Sequence, residues 1–190
     1  MDSFVMDEKV RCSWVTADPL YIAYHDQEWG VPCWDGKKLF EMLLLEGLQA
    51  GLSWITVLRK RERYRHVTDG FCVEKLAAWS DEDIEAALQD KGLIRNRRKM
   101  EALRRNARAF LALQERFDAV AWLWQFTGGV TLHNRWQREA DIPAATEESH
   151  AMSRALKRAG FTFVGPTICY AFMQAVGMVN DHAGDCFLKL

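Results

Sequence analysis

Long apolar runs, cysteine pairs, strand-like alternation and net charge are all scarce in this chain, and each shortage removes a class of protein. No stretch approaches the roughly 18 consecutive apolar residues of a membrane span, so no membrane partner is expected. Residues 1–11 carry acidic side chains and lack the apolar centre of a secretory leader. Five cysteines, an odd number with no CxxC pair, argue against a disulfide framework and for a reducing compartment, and the cytoplasm is the expected location. The net charge is −1; attraction to a polyanion therefore has to come from a local basic patch and not from the global field. With alternating apolar and polar residues hard to find, the expected fold class is all-α.

What the chain does have is apolar mass in helical periodicity. Of 190 residues 49% are hydrophobic, and eight are tryptophan, enough to bury a sizeable core without a partner. A monomer is expected, with residues 1–10 as a flexible extension and 11–190 as a single helical domain. Asp35 is placed to cap a helix through about residue 50, and Ser53 a second one through about residue 64. Ser80 and Asp83 form a capping-box pattern, and Gly92 breaks the chain before a long helix over about 96–116. A Trp-rich stretch covers 120–126, a further helix is expected over 149–158, and Pro166 opens a last one running to about residue 179. The segment 130–146 is the least regular.

Four features carry chemistry. Cys12, His25, His182 and Cys186 make a complete tetrahedral zinc set with no position left for a catalytic water. The H-x3-C pair suits one helical turn, but the Cys12–His25 spacing is not that of a zinc finger, so spacing alone leaves chance open. Trp14, Tyr21, Tyr24, Trp29 and Trp34 crowd an irregular, Pro-marked segment; they either cover the helices or line a pocket. On the helix that begins after Asp35, Lys37, Lys38 and Glu41 define a polar side. Glu46, about 140° round from Glu41, falls among Leu39, Met42, Leu43 and Ala50. It is then a partnered core carboxylate, a residue released to water by a kink at Gly47, or the acceptor of an aromatic cavity that Trp54 helps to wall. Residues 91–108 hold eight basic side chains, which read as a solvated helix face or as a phosphate track at the start of a helix.

Longer blocks resemble the DNA-3-methyladenine glycosylase I family. They are Tyr21-Ile22-Ala23-Tyr24-His25-Asp26-Gln27-Glu28-Trp29-Gly30-Val31-Pro32, Leu45-Glu46-Gly47, Gln49-Ala50-Gly51-Leu52-Ser53-Trp54-Ile55-Thr56-Val57-Leu58, Gly160-Phe161-Thr162-Phe163-Val164-Gly165-Pro166-Thr167-Ile168-Cys169-Tyr170, and Val179-Asn180-Asp181-His182. The resemblance runs from about residue 11 to residue 186. It implies a helix-hairpin-helix glycosylase fold in which one structural zinc ion, on Cys12, His25, His182 and Cys186, joins the N- and C-terminal segments. It also implies removal of 3-methyladenine from double-stranded alkylated DNA in base-excision repair. Trp14, Tyr21, Tyr24, Trp29, Glu46 and Trp54 match the base pocket, with Glu46 as the catalytic group. Leu52 matches a position suited to filling the gap left by a flipped base. The hairpin around Gly92, with Arg95, Arg97 and Lys99, is the expected DNA-binding element, although it lacks the second glycine of the common form.

The chemistry follows from the lesion. Methylation at N3 leaves adenine positively charged and makes it a good leaving group, so the main tasks are extrusion of the base and recognition of its charge. Tyr24, Trp29 and Trp54 would stack on the cationic ring, and Glu46 would accept from its exocyclic amine. Water would complete hydrolysis at C1′. No lysine stands out as a Schiff-base nucleophile, so a monofunctional enzyme without strand cleavage is expected. Asp118, the nearest acid after the hairpin, reads as a helix cap. The rival reading is a non-catalytic zinc-containing module that binds alkylated bases in DNA.

Overall fold

The computed structural model describes residues 9–190, so the flexibility expected of the N-terminal extension falls almost wholly outside the described residues. Nine α-helices follow one another within them, in keeping with the all-α expectation, and the only regular strand pairing among these residues is a two-residue parallel bridge.

Helix α2 (Gly36–Leu48) is the axis of the fold. Asp35 caps it by accepting from the amides of Lys37 and Lys38, and every residue from Leu39 to Leu48 is buried. The polar side expected at Glu41 is therefore not a solvent face: Glu41 is 8% exposed and accepts from Arg65 on α3 (Trp54–Val67). Ser53 precedes α3 as expected, but its hydroxyl pairs with Thr56 Oγ1 at 2.7 Å and makes no bond to the helix amides. Behind α2 lie the short α4 (Val73–Ala77), absent from the sequence reading, α5 (Asp81–Gln89) with its Ser80–Asp83 capping box, and α6 (Arg97–Gln114) capped by Asn96.

Asp118 accepts from Ala121 N at 2.9 Å and caps α7 (Ala119–Trp124). Helix α8 (Glu147–Arg158) starts two residues ahead of the expected point because Thr146 and Ser149 form the capping box. Helix α9 (Pro166–Ala175) stops short of residue 179. The reason is Gly177, whose φ of +72° leaves the helical region and whose Cα lies against the backbone of Val31 and Pro32. The chain then turns into β2 (Val179–Asn180), which pairs with β1 (Leu132–His133) and draws the irregular 130–146 segment onto the C-terminal residues.

The opening aromatic segment is more regular than expected. Asp18 accepts from Leu20 N, Pro19 occupies the first turn, and Pro19–Gln27 form α1. Its pattern escaped recognition because α1 has no apolar stripe; it packs Tyr21, Tyr24 and His25 inward, residues of mixed polarity that hydrophobic periodicity does not register.

Candidate active site

Helices α1, α2, α3 and α9 surround a cavity of about 340 Å³ lined by Trp14, Tyr21, Tyr24, Trp29, Glu46 and Trp54. All six residues expected in the pocket thus meet in one place. Trp14 lies 5.0 Å from Tyr21 and 5.1 Å from Trp29 between ring centroids, and Tyr24 lies 5.3 Å from Trp54. None of these pairs is stacked face to face; their interplanar angles run from 47° to 70°, which leaves π faces turned to the space between them.

Glu46 is 3% exposed, and its Oε2 has no hydrogen-bond partner. Burial alone pushes its pKa up to about 8, because the ionised carboxylate has lost its water and gained nothing in return. Trp54 Nε1, across the same cavity, is the other buried side-chain atom without a partner among the described residues. Native interiors satisfy nearly all such groups. Two unpartnered polar atoms in one aromatic cavity mark it as a candidate binding site for a ligand that can pair with them.

Next to the cavity, Cys12, His25, His182 and Cys186 are buried and offer four ligand atoms all within 4.8 Å of one another. Sulfur-to-nitrogen separations are 3.6 Å for Cys12–His182, 3.5 Å for Cys186–His25 and 3.4 Å for Cys186–His182. A tetrahedral cation bound to sulfur and nitrogen at ordinary lengths sets such donors about 3.6 Å apart, so the cluster fits one metal ion. The outward nitrogens are also engaged: His25 Nδ1 lies 2.8 Å from Asp26, and His182 Nε2 lies 3.2 Å from the carbonyl of Trp29. Arg11 grips Asp26 in turn and holds its carboxyl below the usual range. Contrary to expectation, His182 and Cys186 do not share a helical turn. They flank a tight non-helical turn at Gly184, with Cys186 N bonded to Ala183 O.

The hairpin between α5 and α6 departs from expectation in two places. Lys99 is 6% exposed and turns its ammonium inward, to Leu48 O at 2.7 Å and Ala50 O at 2.6 Å. It caps the end of α2, whose last carbonyls have no partner within the helix, and so braces the turn carrying Leu52 instead of facing a phosphate. The amide of Gly92 is not free either, since it donates to Asp90 Oδ1 at 2.7 Å. Arg95, Arg97 and Arg98 do stand in solvent at the start of α6, with Arg97 paired to Glu85. Leu52 is 37% exposed on its turn, between two residues of the cavity wall, Gln49 and Trp54.

Residues 14–189 match the methyladenine glycosylase family model. The chain belongs to that family. It is 53% identical over 177 residues to DNA-3-methyladenine glycosylase 1 of Escherichia coli, covering 93% of this chain and 95% of that one. With DNA-3-methyladenine glycosylase of Haemophilus influenzae the identity is 48% over 180 residues, 94% and 97% of the two chains. A crystal structure of 3-methyladenine DNA glycosylase I superposes with a TM-score of 0.93 at 51% identity, covering 95% of this chain and all of that one. The Staphylococcus aureus enzyme, in a study of 3-methyladenine recognition, gives 0.90 at 33% identity, with 95% and 96% covered.

This methyladenine glycosylase family member also has cavity residues that sequence reasoning missed: Gln49, Glu139, Ile142, Ala171 and Gln174. Gln49 opens one recognised motif and Ala171 and Gln174 follow another, but none of the three is a distinctive residue type. Glu139 and Ile142 come from the irregular 130–146 segment, where no periodicity pointed inward. Glu139 reaches the N-terminal segment, accepting from the amide of Ser13 and from its hydroxyl at 2.6 Å.

Proposed function

We propose that this protein is a DNA base-excision repair glycosylase that extrudes 3-methyladenine from alkylated duplex DNA and hydrolyses its N-glycosyl bond. The observation that carries this reading is the unpartnered, buried carboxylate of Glu46 inside an aromatic cavity. A neutral base gains little there. A cationic base supplies what the site lacks: charge for the π faces of Tyr24, Trp29 and Trp54, and donors for Glu46. The contact strengthens as Glu46 ionises, because a charge-assisted hydrogen bond is about twice as strong as a neutral one.

The site's own residues account for the order of events. Leu52, on a turn braced by Lys99, enters the duplex as the lesioned base leaves the stack. Arg95, Arg97 and Arg98 and the first free amides of α6 hold the backbone phosphates. Once the base is in the cavity, Glu46 stabilises it as it departs, and water adds at C1′. No lysine lines the cavity, in keeping with a monofunctional enzyme that leaves the strand intact. Zinc is the ion that suits two thiolates and two imidazoles, and it acts as a structural clasp. Residues 11–190 work as a single unit, as a monomer in the cytoplasm; no helix among the described residues is long and apolar enough to cross a membrane.

The test is chromatography of the bases released from methylated duplex DNA by the purified, metal-loaded protein. Release of 3-methyladenine with 7-methylguanine left in place is expected. Binding to the same DNA with no base released would instead identify a reader of damage that does not cut.

A further inference from the structure

Asp181 is completely buried and its two oxygens accept four hydrogen bonds. Asn134 Nδ2 donates to Oδ1 at 2.7 Å and Trp136 Nε1 donates to Oδ1 at 2.9 Å. Gln174 Nε2 donates to Oδ2 at 2.9 Å, and the hydroxyl of Tyr170 donates to the same oxygen. An ionised carboxylate has about four acceptor sites and nothing to donate, so this one is saturated by donors from β1's flank and from α9.

The consequence falls on Gln174. A side-chain amide has a donating end and an accepting end, and a carboxylate takes only the former. With its NH₂ group committed to Asp181, the carbonyl of Gln174 points the other way. Gln174 lines the cavity with Glu46, and while its Nε2 is bonded to Asp181, no hydrogen bond reaches its Oε1 from the described residues.

We infer that Asp181 is a positioning residue that fixes the amide of Gln174 with its oxygen toward the cavity, and that this oxygen is a specificity determinant. Together with Glu46 it sets two acceptors on the base. They fit a purine with an amine at C6 and disfavour one with oxygen there, which would bring acceptor against acceptor and leave a buried oxygen unpaired. The inference rests on the glycosylase reading and extends it to a choice of substrate: 3-methyladenine over 3-methylguanine.

Two variants test it, Gln174→Leu and Asp181→Asn, each checked for metal content and melting before assay. The readout is the ratio of kcat/KM for release of 3-methyladenine to that for 3-methylguanine from the same methylated DNA, a ratio that a general loss of packing does not move. Gln174→Leu is expected to lower 3-methyladenine release about tenfold and to leave 3-methylguanine release within about twofold. Asp181→Asn, whose new amide can donate to Gln174 Oε1 and turn the glutamine over, is expected to lower the ratio similarly. An unchanged ratio in Gln174→Leu, or a parallel fall for both bases in both variants, would overturn the inference while leaving the glycosylase reading intact. Release of neither base by the unaltered protein would overturn that reading itself.

Discussion

Glu46 shows how much chemistry one side chain can carry when its surroundings are wrong for it. Its pKa of about 8, against 4.5 for an ordinary glutamate, means that the folded protein keeps a proton the unfolded chain releases. The stabilising contribution of that proton is complete below about pH 4.5 and is lost as pH rises through 8. At one unit per ~1.4 kcal/mol the full effect is on the order of 5 kcal/mol. Glu46→Gln removes the titration, so its melting temperature should match the parent at pH 5 and exceed it by about 5 °C or more at pH 8.5, read by calorimetry. Activity should move in the opposite sense. Base release by the parent is expected to climb with pH and level off above 8, as the carboxylate forms. In Glu46→Gln it should fall at least ~100-fold and become flat with pH, while DNA affinity persists. A flat profile in the parent would remove the charge of Glu46 from the mechanism.

At the scale of the element, the decisive features are the places where helices end. Helix α2 ends on the ammonium of Lys99, which holds the Leu52 turn at the cavity mouth. Helix α9 ends two residues before Gly177, where the chain turns toward Asp181 and His182. A Cβ there would stand 2.3 Å from both Pro32 N and Val31 C, at a φ of +72°. Backbone cannot yield as a flexible side chain does. Gly177→Ala is expected to cost about 2–4 kcal/mol and to lower the melting temperature by about 5–15 °C. Ala substituted at Gly128, where no neighbour lies within 4 Å, should lose only the smaller cost of the left-handed φ. Equal losses in the two variants would mean that the close approach to Val31 and Pro32 does not matter.

For the molecule as a whole, the Cys/His cluster joins residues 170 positions apart in the chain, Cys12 to His182. The same closure brings Val10 O onto Phe187 N at 2.9 Å and sets Trp14 and Trp29 against the cavity that Glu46 occupies. Burial pushes the Cys12 thiol up to about 12, so only a cation bound at the cluster would make it a thiolate near neutral pH. Cys186→Ser is therefore expected to lose its metal, measured by atomic emission, and to melt at least ~10 °C lower, since a ligand bound only to the folded state adds its binding free energy to stability. Base release well below the new melting point should survive. Lost activity with unchanged melting would show that the ion takes part in the chemistry and is not a clasp.

Read by itself, the sequence determined the helical class, several of the caps and which residues meet in the aromatic cavity and in the Cys/His cluster. Helical periodicity, capping side chains and long family motifs are local properties, legible wherever they occur. Asp35, Ser80 and Asp118 cap the helices their positions promised, and the place of Glu46 on α2 announced its burial. Tertiary structure alone decided which charges were free to act. Lys99 and Glu41 looked like surface charges because a run of basic residues or one polar flank carries no record of what packs over it. Carbonyls from the end of α2 took the first, and Arg65 took the second. Gln174 and Glu139 entered the cavity for the same reason: their partners, Asp181 and Ser13, lie on other segments, and only folding brings them within reach.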